Sequence, residues 1–412
     1  MSRIFNVDPK ELKSAELAKL VRKVQTLAGD GYDIIHKNYE PFVKPYQQIL
    51  RLAKKEQEWY LYFKAIEEIL YLNRVHDKYD EVVKYAELYY KESALYMDRE
   101  LPNYPEDMAY TNTWIYNNIF VAYYQYHQID DAKMDVFMKK YNESALKYGK
   151  IYRYYEDEMD LCLLYRDADR AREAARNFRI YEKDIRSCYV CAHRSYLSHL
   201  LLVGENRQAE EMLCDLVNKN IPKQHLWCYN YCRAAVADSM YEEVLDDSIM
   251  SGNEEAFHYF FNKYWVKMPR ETQLSDDAWS FRRLLCAYIG LFDRLKDDIR
   301  QAEECIRDEQ HETTVGNIEV ALRWWCYFTL LDRSGVHEVE LSLPGLEKAD
   351  VTIGSDAQTA ESEKRAGKVP SQVVASYMEK RADEFGALFS KARARFDYEG
   401  LKDTYRNCFL AK

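Results

Sequence analysis

Glycine and proline are scarce, with 13 and 9 residues in a chain of 412. Together they make roughly 5% of the chain, against about 12% in average proteins. Sandwiches, barrels and dinucleotide-binding sheets use both residues at their many turns. Their scarcity therefore points to long helices. No run of 18 apolar residues occurs, so no helical membrane span is expected. Met1 to Gln25 is charged helical sequence without the apolar stretch of a secretory signal. Ten cysteines in that setting are expected to be reduced thiols in a cytosolic protein. Also missing are Gly-x-Ser-x-Gly, a P-loop, Gly-x-Gly-x-x-Gly and His-Glu-x-x-His. Catalysis is not expected, and neither is a cofactor.

What the chain has in excess is tyrosine, 36 residues, within an aromatic content of 14%. With 47% apolar residues, a sizeable core is expected and wholesale disorder is excluded. Lys+Arg 58 against Asp+Glu 69 gives a net charge of −11. That balance disfavours nucleic acid and anionic membranes as partners. Residues 361–412 run the other way, with eleven Lys/Arg and eight Asp/Glu, a net of +3. A basic C-terminal helix is thus expected to be solvated, or to dock on an acidic partner or on the rest of the chain.

Helix boundaries are legible along the chain. Asp8-Pro9-Lys10-Glu11 predicts a capped start with proline at the first helical position. Gly29-Asp30-Gly31 predicts the stop. Residues 51–72 read as one helix, with Trp59, Phe63, Ile66, Ile69 and Leu70 at helical spacing. Lys78 to Met97 gives a second apolar stripe through Val82, Ala86 and Tyr89. The short link at 73–77 then predicts an antiparallel hairpin. Leu101–Pro105 breaks the chain, and a second hairpin is expected over Met108–His127 and Ala132–Tyr148. Taking turns near 75, 129, 167, 204, 252 and 292, the spacings are 54, 38, 37, 48 and 40. Such a period is the mark of stacked helical hairpins. Residues 334–370 change character. Clustered glycines surround Val339, Leu341 and Leu343, which could form a strand, and Ala357–Lys368 reads as a flexible linker. Pro370-Ser371 opens a helix to about Phe396, and Leu401–Leu410 gives a final short one.

Several second helices carry small residue, three spacers, then a bulky one. Ala174 and Phe178, Ala209 and Leu213, and Ala256 and Phe260 all fit. Alanine suits a close helix crossing and the larger side chain fills the groove. Ser187 to Tyr196, followed by the Gly204 turn and Ala209, resembles a block of uncharacterised bacterial tetratricopeptide-repeat proteins. Ser195 and the Cys191-Ala192 pair depart from that block. The resemblance covers roughly residues 100–295. It implies an all-α fold, a right-handed α-solenoid of tetratricopeptide-like hairpins. On this reading residues 1–50 form a helical cap, 51–333 the array, 334–370 an irregular linker and 371–412 capping helices. It also implies a cytoplasmic bacterial adaptor that binds another protein or a peptide in its concave groove; the acidic charge favours a basic partner, and Arg194 one with a free carboxylate. Two related roles are an accessory subunit of an ATPase complex and an intracellular receptor for a signal peptide.

The expected groove residues are Tyr116, Asn117 and Tyr124 on one helix, and His193, Arg194 and Tyr196 on another. Tyrosines stack on an extended peptide, asparagine bonds its amides, and Arg194 can clamp a carboxylate. Cys188-x2-Cys191-x-His193 with Cys228-x3-Cys232 invites comparison with a zinc site. The helical context and the absence of a knuckle glycine favour buried free thiols, and no metal is expected. Glu255-x2-His258 is half of a di-iron motif without its second half. The acids Glu156, Asp157, Glu158 and Asp160 are expected to fan around a solvated helix face.

Overall fold

The computed structural model describes residues 7–29, 33–100, 105–148, 150–185, 188–232, 235–275, 280–307, 314–341 and 367–411. Among them the protein is all-α apart from one strand pair, and no helix is long and apolar enough to cross a membrane. The chain divides into two units, Met1–Asp157 and Glu158–Lys412.

The first unit runs through α1 (Ala15–Ala28), α2 (Asp33–Lys37), α3 (Glu40–Lys55), α4 (Trp59–Val75), α5 (Tyr79–Glu100), α6 (Pro105–Gln125) and α7 (Asp131–Tyr148). The start of α8 (Ile151–Tyr165) closes it. α4 is the hub and packs on α3, α5 and α6. Its residues from Leu61 to Leu70 are buried all round, as a helix surrounded by other helices must be. Between the helices runs a file of phenols. Tyr89 meets Tyr116 edge-on at 5.8 Å, Tyr116 stacks on Tyr141 at 4.9 Å, and Tyr141 meets Tyr154 edge-on at 5.5 Å. These rings fill the inter-helix grooves, which accounts for much of the tyrosine excess.

The second unit continues with α9 (Ala168–Tyr181), α10 (Tyr189–Leu202), α11 (Asn206–Val217), the short α12 (Cys228–Tyr231), α13 (Ala237–Met250) and α14 (Glu254–Lys263). Then come the short α15 (Arg270–Gln273), α16 (Ser280–Tyr288), α17 (Leu295–Arg307) and α18 (Val315–Arg333). Strands β1 (Glu338–Leu341) and β2 (Gly367–Pro370) pair antiparallel, with Glu338 opposite Pro370 and Leu341 opposite Gly367. Helices α19 (Ser371–Ala392) and α20 (Tyr398–Phe409) follow. α13 packs on α10, α14, α16 and α20, and α18 packs on α16, α19 and α20. The basic C-terminal segment thus docks on helices of its own unit. Lys402 pairs with Glu379 and Asp383, at 3.0 and 2.7 Å.

One device ends eight of these helices. Gln57, Asp77, Arg166, Gly204, Lys219, Gly252, Gly290 and Gly335 all have positive φ. In each case the next residue's N–H bonds the carbonyl five residues back: Glu58 to Ala53, Lys78 to Asn73, Asp167 to Cys162, Glu205 to Leu200. The same holds for Asn220 to Asp215, Asn253 to Ser248, Leu291 to Cys286 and Val336 to Leu331. This is the Schellman closure, which satisfies the orphan carbonyls of a helix end. Four of the eight positions are not glycine, so the chain makes hairpins with few glycines. Asp167 and Asn253 then cap the following helix, accepting from Arg170 N and Ala256 N at 3.1 and 3.0 Å.

Several boundaries differ from expectation. Asp8 and Pro9 form a tight turn, in which Asp8 accepts from Lys10 N and Glu11 N, and the helix starts at Ala15 behind the cap Ser14. The stretch 51–72 is two helices, because Gln57 turns left-handed and ends α3. A cap ending at residue 50 would therefore end inside α3. The predicted helix 371–396 ends at Ala392. Val339 and Leu341 are the buried face of β1. The stop at Gly29 holds, with φ +57°. Asp30, Gly31, Leu101–Tyr104, Leu343 and most of the 357–368 linker lie outside the described residues.

Candidate functional site

The expected groove residues separate into two kinds. On α6, Tyr116 is buried at 5% exposure within the phenol file. Asn117 is also buried, and its amide donates to Asp157 at 3.5 Å. Asp157 in turn accepts from the Tyr141 hydroxyl at 2.9 Å and pairs with Arg153 at 3.6 Å. Asn118 accepts from Arg74 Nε at 2.8 Å. Tyr116 and Asn117 are thus engaged inside the unit and offer nothing to a peptide. Tyr124 is half-buried and reaches the surface. It belongs to a stripe that the sequence did not single out: Tyr110, Trp114, Val121 and Tyr124, at spacings of four, seven and three. A helix turns 100° per residue, so these four share one side. Tyr110 is 55% exposed and Trp114 38%, and their rings meet edge-on at 6.0 Å. Two bulky aromatics side by side in water are the notable surface feature of the first unit.

On α10 the outcome is different. His193 is 1% exposed. Its Nδ1 lies 2.9 Å from the Tyr189 carbonyl and its Nε2 2.9 Å from Glu182 Oε1, which holds the Glu182 carboxyl below its usual range. Tyr196 is half-buried, parallel to Phe178 at 6.0 Å and covered by Arg179. Arg194 pairs with Glu243 of α13. His193 is therefore a core residue, and Arg194 is a structural arginine rather than a free carboxylate clamp.

That Arg194–Glu243 pair is one rung of a ladder. α13 carries Asp238, Glu242, Glu243, Asp246 and Asp247, and each acid is met by a group from a neighbouring helix. Arg282 of α16 takes Glu242 and lies 3.5 Å from Asp238. Arg323 of α18 holds both oxygens of Asp246 at 2.8 Å and Glu319 at 2.9 Å. Ser198 of α10 donates to Asp247. Burial, with Asp246 nearby, pushes Asp247 up to about 7. Burial likewise lifts Glu319 to about 7, against the pull of Arg323. Perturbed acids mark functional sites, but structural ion-pair networks perturb acids equally. These acids all face arginines or a hydroxyl of their own unit, which is the structural case.

A pH dependence follows. An acid whose pKa rises on folding binds its proton more tightly in the native state. Its stabilising contribution is full below about pH 4 and is lost as the pH rises through about 7. Asp247→Asn keeps an oxygen for Ser198 and removes the titration. The variant should gain about 1–2 kcal/mol over wild type at pH 8 and nothing at pH 4. Parallel thermal-unfolding profiles for the two proteins across that range would refute the assignment.

The thiols form a second cluster. Cys188 is the N-cap of α10 and Cys191 lies three residues on, in its first turn. Cys228 opens α12 and Cys232 is its C-cap. The sulfurs of Cys188, Cys191 and Cys232 lie within 4.8 Å of one another, and Cys191 and Cys232 are 3.3 Å apart. The Cys188 thiol also meets that of Cys228. Cys228 Sγ receives the N–H groups of Val190 and Tyr189 at the start of α10. Buried thiols are expected from the sequence; Cys228 is buried, but Cys188, Cys191 and Cys232 are half-buried and lie together. An open groove of about 570 Å³ between α1 and α3 is lined mainly by charged and amide side chains, including Lys19, Lys23, Gln48 and Arg51.

No protein-family model, curated protein or solved structure matches the chain.

Proposed function

We propose that the chain is a non-catalytic scaffold that binds another protein or a peptide. On this reading its helices are tetratricopeptide-like hairpins, stacked within each unit as a right-handed solenoid. Three features support the repeat. The Schellman closure recurs at the hairpin turns after α4, α8, α10, α13 and α16. First helices pack on first helices, α4 on α6 and α10 on α13 on α16 on α18. The crossing residues Ala174, Phe178, Ala209, Leu213, Ala256 and Phe260 are all buried. A bacterial setting belongs to the same reading and rests on the resemblance alone; a cytosolic one rests also on the cysteine content and the charged N-terminal segment.

The observation that carries the binding function is the α6 stripe. Tyr110 and Trp114 keep large apolar areas in water on the first helix of a hairpin. Aromatic side chains of this type are the usual anchors of protein interfaces. The net charge of −11 favours a basic partner. The test is capture of the protein from its native host, followed by calorimetry with the partner recovered near one-to-one. Tyr110→Ala with Trp114→Ala should weaken that partner about 30-fold, equivalent to ~2 kcal/mol at a hot spot, with helicity unchanged. A partner held equally well by the double variant, or none recovered, would overturn this placement of the binding face.

A further inference from the structure

We propose that Cys188, Cys191, Cys228 and Cys232 form a structural zinc site with four thiolate ligands. This goes beyond the scaffold reading and does not depend on it.

The first support is geometric. Thiolates about 2.3 Å from a central zinc ion stand about 3.8 Å from one another in a tetrahedron. Here Cys191 and Cys232 are 3.3 Å apart, and Cys188 lies within 4.8 Å of both, a trio close to that spacing. Cys228 stands outside that trio, against Cys188 at the start of α12, and would have to close in as the fourth ligand when the metal binds. The pairing also has a sensible backbone. One pair comes from the first turn of α10, where i and i+3 share a side; the other brackets the single turn of α12. The N–H groups of Tyr189 and Val190 already point at Cys228 Sγ, and that of Cys191 at Cys188 Sγ. Such donors to sulfur are the outer support that a metal thiolate uses.

The second support is what the segment otherwise lacks. The connection from Asn218 to Val236 is the longest between α10 and α14, and it explains why the spacing of 48 exceeds its neighbours of 37 and 40. Among its residues whose side chains are described, His225 and Cys228 are the buried ones. Leu226, Trp227 and Val236 are 40%, 42% and 52% exposed. Beside the Tyr229 hydroxyl's bond to Leu216 O and the contact of His225 with Tyr189, the cysteine cluster is the main tie of this long connection to α10. Zinc would bind it to the start of α10. Zinc replaces up to four thiol protons, so uptake releases protons and weakens in acid.

Two other outcomes would use the same atoms. Cys191 and Cys232 could instead work as a redox pair, joining as a disulfide when an oxidant takes two electrons and two protons. Or the four could remain simple thiols.

The experiment uses the whole chain, purified in reductant without chelator. Elemental analysis should find one zinc per chain in wild type and in Cys214→Ser, whose sulfur lies elsewhere, beside Tyr264. Cys188→Ser and Cys228→Ser should each lower zinc affinity at least tenfold. Because either variant could fail to fold, wild type itself is stripped and titrated with cobalt alone. The expected spectrum is that of tetrahedral cobalt with sulfur charge-transfer bands, saturating at one per chain and displaced by zinc. No zinc and no such spectrum would overturn the site. A Cys191–Cys232 disulfide found in its place would assign the cluster to redox chemistry.

Discussion

Arg323→Ala should destabilise the second unit by about 3–5 kcal/mol, the loss seen when one partner of a buried ion pair is removed. Its guanidinium is the only described bridge between Asp246 of α13 and Glu319 of α18, and it also donates to the Tyr405 hydroxyl of α20 at 3.3 Å. Without it two carboxylates face each other beside Asp247, in a place where burial already disfavours charge. Against a typical total of about 5–15 kcal/mol, that is a large share. Urea unfolding measures it. Arg323→Lys should recover only part, since one ammonium cannot hold both acids and also replace the Nε donor to the Tyr405 hydroxyl. Arg323→Met combined with Asp246→Asn and Glu319→Gln should recover more than Arg323→Ala does, because no charge is left unmatched. If Arg323→Ala unfolds within 1 kcal/mol of wild type, the ladder is decoration.

Gly386→Ala should also destabilise, by about 2 kcal/mol, although alanine gains about 1 kcal/mol over glycine inside a helix. Gly386 is buried in the middle of α19, and the ring of Tyr398 lies directly on it; an added methyl would collide with that ring. The ring cannot slide aside freely. Its hydroxyl donates to Asp383 at 2.6 Å, and Lys402 grips the same carboxylate. The first turn of α20 should therefore lift, and its amides should exchange faster than those of α13. A variant as stable as wild type would mean that α20 yields at no cost.

These two sites show what the sequence carries and what it does not. The hairpin turns at Gly204 and Gly252 were legible, because glycine there permits a positive φ that few other residues adopt. The end of α3 was not legible, since Gln57 takes the same conformation without advertising it. Asp8-Pro9 has the form of a helix start, yet its bonds close locally into a turn. On α6 the difficulty is that nearly every position is apolar or aromatic. Tyr116 and Trp114 look interchangeable in sequence, but they lie 200° apart on the helix, one in the core and one in water. Tyr124 was singled out, while Tyr110, Trp114 and Val121 on the same side of the helix were not. Arg194 was expected to clamp a partner's carboxylate, but it takes Glu243 of its own unit, 49 positions away on the next first helix and beyond any local pattern. The cysteine spacing was visible too. That the two pairs meet depends on how residues 218–236 return to the start of α10, which their composition does not specify.

Arg166 has a consequence of its own. It sits left-handed in the turn after α8, and its guanidinium donates to the carbonyls of Ile249 and Met250, at 3.1 and 2.8 Å, and to Thr404 of α20 at 3.1 Å. Gly252 leaves it room, for a methyl there would stand 3.3 Å from Nη1. Stacked hairpins ordinarily form one after another as the ribosome delivers them, each resting on the last. Here a turn made early must wait for a helix synthesised 238 residues later. Until α20 emerges, the faces of α13, α14 and α18 that it covers lack that cover, so the second unit is expected to fold more slowly than its local contacts alone would set.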